Sequence, residues 1–173
     1  MSGAAIDVQG LEKQFGETAA LQGLTLQVAE GELFGLLGPN GAGKSTTINI
    51  LSGLTEPTKG TASVGGHPLP KEAREVKEII GVCPQDFSIF PYLTGRENVL
   101  LFGELAGVPR SELRERAAAL LDRLGLNGEA DRRVKGYSGG MKRRISIATA
   151  IIGDPEIAFL DEPTTGLDPQ SRH

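Results

Sequence analysis

Tryptophan is absent, cysteine occurs once, and aromatic residues make up 5% of the 173 residues. The single thiol, Cys83, excludes an internal disulfide and fits a reducing compartment. It lies in the apolar run IIGVC before Pro84, which is the setting of a small core residue rather than a reactive one. No apolar run approaches the length that spans a bilayer, and the N-terminus lacks the basic-then-apolar pattern of a signal peptide, so the expectation is a chain soluble by itself. Excess basic charge is missing as well. A net charge of −4 and a pI near 5.3 speak against the basic face of a nucleic-acid binder. The length is enough to bury one sizeable core.

Glycine is plentiful, at 24 residues, and its densest use follows a short apolar run. Leu33, Phe34, Leu36 and Leu37 have strand character, Gly38 to Ser45 then read G-x-x-x-x-G-K-S, and an apolar-periodic segment with Ile48, Ile50 and Leu51 follows. The order is strand, glycine loop, helix. Gly38, Gly41 and Gly43 can take positive φ and leave room for phosphate oxygens, so that successive N–H groups point inward. The helix start adds unpaired N–H groups and the positive end of its dipole. Lys44 supplies a charge for the β- and γ-phosphates, and the Ser45 hydroxyl is a ligand for Mg²⁺. This pattern predicts nucleoside triphosphate binding.

The rest of the chain is expected to build around that loop. Ile6 and Val8, and again Leu24, Leu26 and Val28, alternate with polar residues as half-buried antiparallel strands do. Phe15 falls between them in the loop-like LEKQFGET, either as an aromatic under the sheet or as a ligand-facing one. Thr61 to Val64 reads as a strand closed by Gly65-Gly66, and His67 as a solvated turn residue. A polar helix over 71–78 precedes a buried strand over 79–83, which delivers Pro84 and Gln85. In DFSIFPYL, Phe87, Ile89, Phe90, Tyr92 and Leu93 show no period, which fits a loop folded onto the core or an exposed apolar patch. Thr94 and Glu97 form a capping box that opens a helix ending at Gly107, and Ser111 is expected to cap another that ends at Gly125. Ser138, Gly139 and Gly140 precede a buried Ile- and Ala-rich helix; a helix cap is the plainer reading, a second phosphate cradle the alternative. Lys142, Arg143 and Arg144 read as a solvated helix face. Ile157 to Leu160 is expected to be a buried strand that ends in Asp161 and Glu162, whose side chains point in opposite directions. One is placed to hold a Mg²⁺-bound water and the other to face an attacking water.

Taken in this order, the chain resembles the nucleotide-binding domain of ATP-binding cassette (ABC) transporters from about Ile6 to Gln170. GPNGAGKST, with Gly38, Pro39, Asn40, Gly41, Ala42, Gly43, Lys44, Ser45 and Thr46, is similar to the Walker A loop. Gln85 corresponds to the Q-loop glutamine, YSGGM to the signature, IAFLDEP to Walker B, and GLDP, with Leu167 and Asp168, to the D-loop. The resemblance implies an α/β fold with a P-loop NTPase (RecA-like) core, an antiparallel β subdomain and an inserted α-helical subdomain. Its parts would be residues 1–85, 86–152 and 153–173. It further implies ATP and Mg²⁺ as ligands, Ser45, Gln85 and Asp161 as metal-side residues, and Glu162 as the base, with Gln85 and Lys44 beside it in catalysis. Phe15 becomes the adenine-stacking aromatic, and Ser138, Gly139 and Gly140 the loop that meets the γ-phosphate held by a second subunit.

Two copies would then face each other head to tail, and the Phe87–Leu93 run would dock membrane permease subunits. The chain would be cytoplasmic and peripheral on the inner face of the membrane, with no nucleic acid partner. Met141, where the signature usually has glutamine, is similar to exporters of the daunorubicin-resistance kind. The family continues to a further strand and a switch histidine, a role that neither His67 nor His173 fits, so the expectation is a chain incomplete at its C-terminus. Two alternatives accompany an exporter ATPase: a nucleotide-binding module with little hydrolysis, and a soluble ABC ATPase of DNA repair or translation. The latter usually carries insertions or a second cassette, and neither is seen in this sequence.

Overall fold

A computed structural model describes residues 3–162. It divides into two compact units, one reaching Ile80 and the other starting at Gly81. The Leu167–Asp168 motif and His173 lie outside the described residues.

In the first unit, strands β1 (Ala4–Phe15) and β2 (Thr18–Ala29) form a long antiparallel hairpin, and β3 (Lys59–Val64) and β4 (His67–Leu69) extend it in the order β2-β1-β3-β4. Both hairpin strands outrun the alternation seen in sequence, for a geometric reason. Ile6 and Val8 point into the core, but a bulge follows: Val8 pairs with Leu26 and Leu11 with Leu24, which leaves one extra residue on β1. Gly10 takes the left-handed conformation there, at φ 55°, and its N–H donates to the Thr25 hydroxyl at 2.9 Å. The bulge changes which parity faces inward, so Leu11 is buried and the strand runs on to Phe15. Phe15 is therefore a strand end rather than a loop residue.

Helix α1 (Lys44–Leu51) packs on β2 and β3 through Thr47, Ile48, Ile50 and Leu51. Helix α2 (Ala73–Ile79) packs on β4, burying Val76. His67 opens β4, half-buried, with its Nδ1 2.8 Å from Glu72 Oε2. It is thus held by a carboxylate, not solvated in a turn.

The apolar run Leu33–Leu37 forms no strand. Leu33 is fully exposed and Leu37 is 95% exposed. A strand exists only with a ladder partner, and within the first unit's sheet this segment pairs with no strand among the described residues.

In the second unit, β5 (Ile80–Cys83) pairs with β6 (Ile157–Leu160), and the Asp161 N–H closes the ladder on the Cys83 carbonyl at 2.9 Å. Only Phe159 of β6 is buried; Ala158 and Leu160 are exposed, which corrects the expected fully buried strand. Burial alternates along β6, so one face of the strand is covered and the other is open. Helices α3 (Gly95–Leu105), α4 (Arg110–Arg123) and α5 (Gly139–Ile151) share a core that includes Val99, Leu113, Leu121, Ile145 and Ile152.

The Thr94/Glu97 capping box forms as expected, with both reciprocal bonds, at 3.1 and 2.8 Å. Ser111, in contrast, does not cap α4. The cap is Pro109, whose carbonyl accepts from the N–H groups of Glu112 and Leu113, and Ser111 lies inside the first turn. Proline's fixed φ pre-sets the entry and moves the start forward.

Candidate nucleotide-binding residues

The loop before α1 has the geometry of a phosphate cradle. Gly41 and Gly43 take positive φ, 84° and 86°, while Gly38 does not. Gly38 is tightly placed for another reason, since a Cβ there would lie 3.0 Å from the Ala42 Cβ, which would have to give way. Gly43 is doubly constrained: it caps α1 in the left-handed region, and a Cβ would approach the Ala20 carbonyl to 2.7 Å. The first intrahelical bond runs from the Thr47 N–H to the Gly43 carbonyl at 2.8 Å. The N–H groups of Lys44, Ser45 and Thr46 precede it and are available to an anion. Lys44 folds over its own loop, with Nζ 2.8 Å from the Gly38 carbonyl and 3.0 Å from that of Pro39. Pro39, Asn40, Gly41, Ala42 and Ser45 are exposed, and Gly43, Lys44 and Thr46 half-buried.

Phe15 is 53% exposed, and Lys13 Nζ sits 4.8 Å from its ring centroid. The ring thus offers a face that already accepts a cation.

In the second unit, Gln85 follows the end of β5 and Asp161 and Glu162 follow β6. Gln85 Nε2 donates to Glu162 Oε2 at 3.2 Å. Asp161 is buried and Glu162 half-buried, the latter with a left-handed backbone at φ 49°. Cys83 is buried just behind them, and burial pushes its thiol pKa up against the lowering effect of nearby Arg143. It is a core residue, as expected. Ser138 caps α5, its Oγ accepting from the Met141 N–H at 3.3 Å, with Gly139 exposed and Gly140 half-buried.

The aromatic run does not fold wholly onto the core. Ile89 packs on it, whereas Phe87, Phe90 and Tyr92 are 42%, 51% and 72% exposed. The segment is nevertheless held. Asn98, fully buried on α3, accepts from the Phe90 N–H at 2.8 Å and donates to the carbonyls of Phe90 and Thr94 at 3.0 and 2.9 Å.

Two functional-looking residues were invisible to pattern. Asn98 is one. Arg143 is the other, and it corrects the solvated-face expectation: it is 1% exposed and donates to the backbone carbonyls of Pro84, at 2.6 Å, and Asp161. Its neighbour Arg144 donates to the Leu124 carbonyl at 3.0 Å. The available signal was its i, i+3 and i+4 spacing to Ser146 and Ile147, which puts the cation on one helix face with them, outweighed in sequence by its two charged neighbours.

The donor set also bears on a metal. Among the described residues no group of three or more His, Cys, Asp or Glu side chains could hold one. Ser45, Gln85 and Asp161 offer only hard oxygen donors. Each of these oxygens is of the donor type that suits Mg²⁺ and not zinc.

A glycine loop opening a helix, a glutamine and an acidic pair at the ends of two paired strands, and a serine-glycine helix start define a P-loop nucleotide-binding cassette. The ABC transporter family profile matches residues 21–165. The Nod factor export ATP-binding protein I of Paraburkholderia xenovorans is 46% identical over all 173 residues, which is 57% of that protein. The linearmycin resistance ATP-binding protein LnrL of Bacillus subtilis is 42% identical over 97% of this chain and 54% of its own length. Among solved structures, the dimeric bacterial ABC transporter cassette MJ0796 matches with a TM-score of 0.85 at 31% identity, over 96% of this chain and 77% of that one. For cbiO1 of Clostridium perfringens, part of the ABC transporter complex cbiONQ, the TM-score is 0.84 at 30% identity, over 96% and 68%. The chain belongs to the ABC transporter family, and it spans a little over half the length of the curated relatives it matches.

Proposed function

We propose that this chain is the ATP-binding and ATP-hydrolysing part of an ABC exporter. The observation that carries the reading is the loop of Gly38–Ser45, whose two left-handed glycines and folded-over Lys44 are arranged for a polyphosphate. Lys44 exchanges the carbonyls of Gly38 and Pro39 for the β- and γ-phosphate oxygens, while the N–H groups at the start of α1 bind the phosphates. Phe15 stacks on the adenine. Glu162 takes the proton of the attacking water, and Gln85 orients Glu162 through their hydrogen bond. Ser45, Gln85 and Asp161 are the residues for Mg²⁺, which when bound neutralises phosphate charge.

Residues 1–85 serve as the β subdomain and phosphate-loop core, 86–152 as the helical subdomain, and 153–173 as the return to the core. Ser138, Gly139 and Gly140 meet the nucleotide of a second cassette, identical or related. The exposed Phe87, Phe90 and Tyr92 receive transmembrane subunits, so the chain works on the inner face of the membrane, and no nucleic acid is involved. Among the described residues no helix is long and apolar enough to cross a membrane. The dimeric cassette among the structural relatives supports pairing. The export and resistance named for the sequence relatives support the direction, as does Met141 in the signature.

The test is thermal unfolding with and without Mg-ATP, with Lys44→Ala as the control. At a hundredfold excess over Kd, ATP should stabilise the chain by about 2.7 kcal/mol, and the variant should lose that shift. A shift of equal size in Lys44→Ala would overturn the assignment of the loop.

A further inference from the structure

Arg143 has the largest fully buried side chain among the described residues. A guanidinium in such a place must be matched by acceptors. Its two Nη groups have backbone carbonyls, those of Pro84 and Asp161, and its Nε has no partner among the described residues. The choice of carbonyls is informative. Pro84 directly precedes Gln85, and Asp161 directly precedes Glu162. A carbonyl lies in the same rigid plane as the nitrogen of the following residue. Holding the Pro84 oxygen therefore fixes the peptide plane from which Gln85 departs, and holding the Asp161 oxygen fixes the one from which Glu162 departs. Both are held by one planar fork. The side chains that leave those planes meet at 3.2 Å.

We infer that Arg143 is a positioning residue that sets the Gln85–Glu162 pair by clamping the two peptide groups beneath it. The inference rests on the proposed role of Glu162 and Gln85 and adds what keeps them in register. Arg143 is carried by α5, the helix that starts at Ser138-Gly139-Gly140, so the clamp also ties the signature helix to both strand ends. A lysine would keep the charge but not the fork, because an ammonium is a point charge on a flexible stem.

Nuclear magnetic resonance on the chain with ¹⁵N in glutamine and arginine side chains tests this. In the wild type, the Arg143 guanidinium should give separate, slowly exchanging Nη proton signals. A single averaged, rapidly exchanging signal would overturn the clamp. In Arg143→Lys, the Gln85 side-chain amide should move towards the position it takes in Glu162→Ala, which serves as the reference for a broken pair. ATP affinity should stay within about twofold, KM should hold, and kcat should fall at least tenfold. An unmoved Gln85 amide in a folded Arg143→Lys variant, or affinity and turnover lost together, would defeat the positioning role. If the variant shows no cooperative thermal transition, the wild-type guanidinium signals decide. A wild type that neither binds nor hydrolyses ATP would refute the proposed function, while the amide and guanidinium signals would still test the clamp.

Discussion

Glu162 holds a left-handed backbone that a glutamate adopts at a cost of roughly 1 kcal/mol. Such a conformation persists where the surroundings over-determine it. Here the Asp161 N–H is tied to Cys83, the Asp161 carbonyl to Arg143, and the Glu162 carboxylate to Gln85. Glu162→Gln keeps the size of the side chain and one acceptor oxygen for Gln85 while removing the charge and the basicity. ATP affinity should therefore be retained, while turnover falls by about 10²–10⁴-fold, the usual worth of a positioned general base. Nucleotide titration alongside a phosphate-release assay checks this, and unchanged turnover would remove Glu162 from the role of base. Glu162 and Lys44 were legible in sequence because their chemistry sits in contiguous motifs next to an apolar run. Arg143 was not. Whether an arginine between charged neighbours faces water depends on which carbonyls lie within its reach, and those are 18 and 59 positions away.

At the scale of elements, α3 shows how a local signal and a long-range one divide the work of fixing a segment. The capping box is written in four consecutive residues and formed as read. Asn98, one turn further on, has no such signature, yet it holds the Phe90 backbone through both its N–H and its carbonyl. Thr94→Ala should cost about 1 kcal/mol, the usual value of a lost cap. Asn98→Ala should cost more, about 2–3 kcal/mol, because it strands the Phe90 N–H, leaves the Phe90 carbonyl only the Leu93 N–H at 3.3 Å, and opens a void. The Thr94 carbonyl keeps the Asn98 N–H in either case. Urea denaturation gives the two values, and limited proteolysis within 86–93 should accelerate only for the Asn98 variant. Equal costs would mean that the aromatic segment is held by something other than Asn98. The longer strands of the hairpin were hidden in sequence by the same kind of feature. The bulge at Gly10 alters the inward parity, so alternation read from Ile6 and Val8 stops where the strand does not.

For the whole molecule, Cys83, Tyr137 and Asp131 have displaced pKa values, and through each of them stability depends on pH. Burial raises the Cys83 thiol above its ordinary 9.0, and burial likewise raises the Tyr137 phenol above 10.0. A raised acid is protonated in the folded chain while the unfolded chain has already released its proton. The contribution is thus complete below the unfolded value and is lost as pH rises towards the folded one. On the acid side the order reverses. The Arg96 guanidinium, bonded to Asp131 at 2.7 and 3.2 Å, holds that carboxyl below its ordinary 3.8, so its contribution is present above that value and fades as pH falls through the folded one. The alkaline limb should therefore have two onsets, near pH 9 from Cys83 and near pH 10 from Tyr137. Each has a limiting slope of about 1.4 kcal/mol per pH unit. Cys83→Ala should remove the first onset and leave the second, because Tyr137 is enclosed by a different set of residues, between Gly95 and the Glu129 carbonyl. Urea midpoints between pH 7 and 11 for the two proteins decide it. A variant whose curve still turns down at pH 9 would show that the buried thiol does not set the alkaline limit.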